Sequence, residues 1–170
     1  MDLSLNQPRL PALAIIAASL GVLGAALFFQ FVIGLQPCIL CIWQRWPYVI
    51  AGALAAGTLA LPHRPKVRAA VLAAAVLTFL VGAGIAVFHV GVEQHWWTGT
   101  PGCGVPAAGK TMSLTDLKRQ VMATPVVRCD VIPWSLFGVS MAGYNVFLSL
   151  GLAAFALATS WRALTSRDSV

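Results

Sequence analysis

Charge is what this chain of 170 residues has least of. Only 9% of its residues are Asp, Glu, Lys or Arg, and only 5 of those are acidic. Soluble domains carry about 25% charged residues. With 59% hydrophobic residues, a chain this short has no interior large enough to hide its apolar surface, so a soluble globule is excluded. Disorder is excluded too, because disordered chains are poor in apolar residues. The alternating pattern of membrane strands is also missing, which argues against a barrel. No internal repeat is present. What remains is a mean hydropathy of +0.83 and long runs of Ala, Leu and Val.

Four windows hold no charge: Leu10 to Gln44, Trp46 to His63, Ala69 to Val92 and Val131 to Trp161. A span needs about 20 apolar residues to cross about 30 Å of hydrocarbon. All four windows can hold one, and helices are expected near 13–35, 42–61, 69–90 and 136–158. The fold class is therefore an all-α membrane protein, a four-helix transmembrane bundle in one integral domain over 1–170. A signal-peptide core runs only about 7–15 residues. The run from Leu13 to Leu35 is longer, and no clean small-x-small cleavage site follows before Cys38, so a retained span is expected. Ala17, Gly21 and Ala25, and likewise Ala53 and Gly57, recur every four residues. Small residues at that spacing let membrane helices approach closely.

Positive charge sets the expected orientation. The loop at 62–68 carries three Lys or Arg, Arg9 precedes the first span, and Arg162 and Arg167 follow the fourth. Both termini and that loop should be cytoplasmic. The outer loops are then about 36–41 and 91–134. Trp43, Trp46, Trp96, Trp97 and Trp134 fall at the outer interface and Trp161 at the inner one, as in an aromatic belt. Within the long loop, Ser113 with Asp116 reads as a capped start. Leu114, Leu117 and Val121 share one face there, so a short amphipathic helix on the membrane surface is expected.

All four cysteines fall on the outer side, which in a bacterium permits disulfides. Cys38 and Cys41 form a Cys-x-x-Cys at the start of the second helix, and Cys103 and Cys129 stand 26 positions apart in the long loop. A four-cysteine zinc site is a poor match, because the second pair lacks the short spacing. A c-type haem needs His after the second Cys, where Ile42 stands. Structural disulfides fit Cys103 with Cys129, but a ring as short as Cys38–Cys41 constrains little. Redox chemistry suits that pair better. Arg45 stands four residues after Cys41 on the same helix face. A nearby cation and a helix N-terminus both favour a thiolate. Both are expected to act on Cys41; the alternative for Arg45 is snorkelling to lipid phosphate.

The string Gln36-Pro37-Cys38-Ile39-Leu40-Cys41-Ile42-Trp43-Gln44-Arg45 resembles the signature of the DsbB family, the quinone-dependent disulfide bond formation proteins of bacterial inner membranes. The resemblance continues in His89-Val90-Gly91-Val92-Glu93, in Cys129-Asp130, and from Trp134 through Gly138 to Asn145. It spans essentially the whole chain. It implies catalytic roles for Cys38, Cys41, Cys103 and Cys129, with Arg45 and His89 as cofactor-binding residues. The cofactor implied is a quinone, ubiquinone or menaquinone, with no metal and no haem. The partner implied is a periplasmic thioredoxin-like thiol oxidase of the DsbA type, beside the lipid bilayer and without nucleic acid. In the implied relay the partner attacks the Cys103–Cys129 disulfide at Cys103. Cys129 then passes electrons to Cys38–Cys41, and Cys41 donates to the quinone. Both pairs are expected to be disulfides at rest. Glu93 reads as a solvated loop acid, and His95 has no assigned role.

Two other readings remain. A vitamin K epoxide reductase-like enzyme also joins four helices, two cysteine pairs and a quinone, but its active Cys-x-x-Cys follows the loop pair. A non-enzymatic membrane assembly subunit with structural disulfides is the other.

Overall fold

A computed structural model describes residues 9–60, 65–103, 113, 115 and 127–165 of the chain. The amphipathic helix expected after Ser113 lies outside the described residues. Four helical segments are long and apolar enough to cross a membrane: Leu10–Phe31, Ile39–Ala60, Lys66–Glu93 and Met141–Arg162. The protein is a helical membrane protein built on these four.

Helix α1 is Leu10–Phe31, with Pro11 in its first turn, where a missing N–H costs nothing. It ends short of the expected residue 35 because Gly34 adopts φ +83° and turns the chain out. Ile33 and Leu35 return their N–H groups to the carbonyls of Phe28 and Phe29. The second span is broken in two, α2 (Ile39–Trp43) and α3 (Trp46–Ala60). Pro47 has no N–H to give the carbonyl of Trp43, so the ladder restarts at Arg45, which accepts from Tyr48 and Val49.

Helix α4 is Pro65–Glu93. The last span begins at Met141 rather than near 136, because residues 135–140 make a hairpin. Strands β1 (Ser135–Leu136) and β2 (Val139–Ser140) pair antiparallel across Phe137 and Gly138. Both turn residues have positive φ, 51° and 78°, the geometry that tight two-residue hairpins select. Helix α5 then runs Met141–Thr165.

Consecutive spans are neighbours. Helix α4 lies between α3 and α5, and α1 rests on α3 while barely touching α5. Lipid tails are as apolar as Leu, so close packing rather than hydrophobic exclusion holds such helices together. Accordingly the core is rich in small side chains. Ala51, Ala55, Ala75, Ala153 and Ala156 surround Tyr48, Phe79 and Ile15, while Leu20, Leu77 and Phe147 face outward. The small residues singled out in the sequence are not the ones that pack: Ala17, Gly21, Ala25, Ala53 and Gly57 are exposed. The close approaches fall one face away. A Cβ on Gly52 would stand 3.4 Å from Ser19, and one on Gly82 would stand 3.0 Å from Pro47.

Trp43, Trp46, Trp96 and Trp97 are exposed around the cysteine-bearing end, and Trp161 is exposed at the far end of α5. Trp134 packs on Phe29, with ring centres 5.1 Å apart.

Candidate active site

The site begins with the way α2 starts. Pro37 precedes an extended Cys38, whose sulfur caps the helix by accepting from the Cys41 N–H at 3.2 Å. The side chain that closes the first turn is thus itself one thiol of the Cys-x-x-Cys pair. The Cys41 Sγ stands 2.8 Å from it, and both cysteines are free thiols. The resting Cys38–Cys41 disulfide expected from the sequence is therefore absent here; the pair is a hydrogen-bonded dithiol. On its other side, Cys38 Sγ lies 3.6 Å from His89 Nε2.

These donors revise where the thiolate belongs. The helix N-terminus and the imidazole were expected to serve Cys41 and the cofactor, yet they converge on Cys38. Hydrogen bonding from the Cys41 thiol, and then from His89, holds the Cys38 thiol well below its ordinary range, while burial pushes it up. Arg45 points elsewhere: its guanidinium donates to Gln30 Oε1 of α1 at 2.7 Å.

The loop pair is a Cys103–Cys129 disulfide. Cys103 ends a 3-10 turn over Pro101–Cys103, and the Cys129 N–H donates to the Cys103 carbonyl at 3.2 Å. Both cysteines are buried, 6% and 0% exposed, in one apolar cluster with Cys38, Leu40 and Val92. The two pairs thus share a core, with Cys38 on the side of the disulfide. Packing against Leu40 and Val92 buries the loop disulfide. Beside it Arg128 holds Asp130 with two hydrogen bonds, which keep the Asp130 carboxyl down at about 2.

Several residues of the site were misread in the sequence or given no role of their own. Glu93 is 5% exposed, not solvated; it lies 3.9 Å from His89 and accepts from Ser140 Oγ. Gln44 is buried and its amide stands 2.7 Å from His89 Nδ1. Asn145 reaches Gln44 from α5 and is itself bonded to Tyr48. The available signal was the i, i+4 spacing of His89 and Glu93 and the rarity of polar residues in apolar runs. His95 is exposed at the surface, 3.9 Å from Asp130.

Between α1 and α5 the loose contact leaves a cavity of about 870 Å³. Its cysteine end is lined by Cys38, Cys41, Gln44, Arg45 and His89, and its length by Val22, Leu23, Ala26, Phe29 and Leu148. Gly21 and Ala25 border this space, which is why they meet no helix. A few polar groups at one end of an apolar cleft is the make-up of a small-molecule site. The donor atoms of Cys38, Cys41 and His89 also lie within 4.8 Å of one another. Those are soft donors, but the sulfurs stand closer than two thiolates sharing a tetrahedral ion at about 2.3 Å each would.

Residues 8–159 match the family model described as Disulfide bond formation protein DsbB. The chain belongs to the DsbB family. It is similar to Disulfide bond formation protein B of Xanthomonas euvesicatoria pv. vesicatoria, 34% identical over 155 residues and 88% of each chain. It is similar as well to the protein of that name from Xylella fastidiosa, 33% identical over 147 residues and 84% of each chain. No solved structure matches it at a significant level. DsbB membership makes this a membrane protein of disulfide bond formation and an oxidoreductase acting on thiols and disulfides.

Proposed function

We propose that the protein reoxidises a periplasmic DsbA-like dithiol oxidase and delivers the electrons to a membrane quinone. The observation that carries this reading is the shared core of the two cysteine pairs, one of which, Cys38 with Cys41, also lines an apolar cavity. Disulfide exchange requires one thiolate in line with the next disulfide. A partner thiolate attacks Cys103 and forms a mixed disulfide, releasing Cys129 as a thiolate. Cys129 attacks Cys38 of an oxidised Cys38–Cys41 pair, and Cys41 leaves. The partner's second thiol then frees Cys103, which attacks Cys129, restores the loop disulfide and releases Cys38. The net result is one partner disulfide gained and one Cys38–Cys41 dithiol formed, holding two electrons and two protons.

A quinone, when bound, supplies the acceptor for those electrons and protons. The cavity fits such a group: Arg45 offers N–H donors for a ring carbonyl, His89 lines the same polar end, and Val22, Leu23 and Phe29 suit an isoprenoid chain. Cys41 is the half-buried sulfur of the pair and lines the same space. Arg45 binds and orients, and the Cys38 environment holds the sulfur that is released last.

The compartment reading is the bacterial inner membrane, multi-pass, with both termini cytoplasmic and the cysteines periplasmic. Arg9, Lys66, Arg68 and Arg162 support it, since all fall at the helix ends away from the cysteines. Purified protein, reduced partner oxidase and a soluble quinone provide the test. Quinone absorbance should fall with wild type and stay level with Cys41→Ser. Equal loss with both would overturn the relay.

A further inference from the structure

Around His89 the hydrogen bonds have a direction. The carbonyl oxygen of Asn145 accepts from the Tyr48 hydroxyl and, at 3.3 Å, from Ser149 Oγ. That leaves the Asn145 NH₂ to donate to Gln44 Oε1. With its oxygen so engaged, Gln44 turns its own NH₂ toward His89 Nδ1, 2.7 Å away. An amide NH₂ only donates. His89 Nδ1 must therefore accept, and the neutral ring carries its hydrogen on Nε2. The opposite wall asks for the same arrangement. Gly143 N–H donates to Ser140 Oγ at 3.1 Å, so the Ser140 hydrogen is free for Glu93. The Glu93 oxygen left over and the Cys38 sulfur, at 3.9 and 3.6 Å from Nε2, are both acceptors.

We propose that Gln44, locked by Asn145 and Tyr48, is a positioning residue that fixes the His89 tautomer, so that Nε2–H is presented to the Cys38 sulfur, with the Glu93 carboxylate nearby. Three elements contribute: Gln44 from the break before α3, His89 and Glu93 from α4, and Asn145 from α5. His89 is then a hydrogen-bond donor to a thiolate and not the base that takes the thiol proton. Glu93 keeps the imidazole edge turned to the sulfur. The other ionisable groups at this cavity are Cys41, Arg45, Arg128 and the phenols of Tyr48 and Tyr144. The role in electron transfer rests on the relay proposed above, whereas the place of the proton does not.

The test is ¹⁵N spectroscopy of histidine-labelled, reduced full-length protein in detergent, with His89→Gln used to assign the signal. Wild type should show His89 neutral with its proton on Nε2. Gln44→Glu replaces the donor at Nδ1 by an acceptor while still accepting from Asn145. It should reverse the tautomer and slow Cys38 alkylation about tenfold at a fixed pH below its midpoint. Gln44→Leu should leave a mixture of tautomers. A wild-type proton on Nδ1 would overturn the proposal, and that spectrum needs no variant to fold. An unchanged tautomer in Gln44→Glu would also overturn it. If the Nε2 proton is found but no quinone is reduced in the partner assay, the relay fails and the tautomer assignment stands.

Discussion

The two cysteine pairs are buried in one cluster but held by opposite means. Cys38 and Cys41 sit on a helix start inside the bundle, and His89, beside Cys38, is itself held by Gln44. Around Cys103 and Cys129 the described contacts are mainly apolar, with Leu40 and Val92, beside one hydroxyl, Thr100 Oγ1, 3.3 Å from Cys103 Sγ. The first pair is set in a polar network; the second is set mainly in apolar packing. This difference supports the division of labour proposed above, in which chemistry that depends on a fixed environment falls to Cys38–Cys41 and exchange with an outside protein falls to the loop pair.

The sharpest way to break the comparison is to remove each pair in turn. Cys38→Ser should lower quinone reduction on the order of a thousandfold with any thiol donor. Cys103→Ser combined with Cys129→Ser should abolish partner oxidation equally, yet leave dithiothreitol-driven quinone reduction within about threefold of wild type. Loss of both activities in the double variant would mean that the loop pair also shapes the inner site. Next in size is Arg45→Met. It should raise the apparent KM for quinone about tenfold, the worth of one charge-assisted hydrogen bond. The disulfide Cys103–Cys129 should stay intact, and wild-type quinone kinetics would return Arg45 to the role of a lipid anchor.

Gly99 sharpens the other side. A Cβ there would stand 2.6 Å from Cys103 Cβ and 3.3 Å from Val92 Cγ1. Gly99→Ala should cost about 1–3 kcal/mol of local packing. It should speed reduction of Cys103–Cys129 by a small thiol while leaving quinone KM alone. The smallest effect concerns Asp130. Its carboxyl, ordinarily at 3.8, is held at about 2 by Arg128, so the clasp stabilises the fold fully above 3.8 and is lost as pH falls through about 2. The difference in melting temperature between wild type and Asp130→Asn should therefore be present near neutral pH and vanish on acidification through that window.

Much of the frame was legible in the residues. Charge-free windows located the four spans, and the Cys-x-x-Cys with Arg45 pointed to residues that line one cavity. The ends of the spans were not legible, because they are set by backbone events: Gly34 in a left-handed conformation, the missing N–H of Pro47, and a hairpin at Phe137–Gly138. Glu93 was misread because a carboxylate just past an apolar run looks solvated until Ser140 is brought over it from 47 residues away. Arg45 had the right position in the helix but a different partner, since Gln30 of α1 reaches it first. Contacts between spans carry no periodic signal, so neither Asn145 nor its link to Gln44 was readable from spacing.

The polar chain has a consequence for biogenesis. Every pair of spans in close contact is adjacent in the sequence, so each helix can dock on the one before it as it leaves the insertion machinery. Gln44 and Tyr48 are the exception: their partners Asn145 and Ser149 lie 97 to 101 residues later. Until the last span arrives, the Gln44 carbonyl and the Tyr48 phenol lack those partners, and a buried polar group without a partner is costly. The polar cluster around Gln44 is thus completed last, once the fourth span has docked on α4.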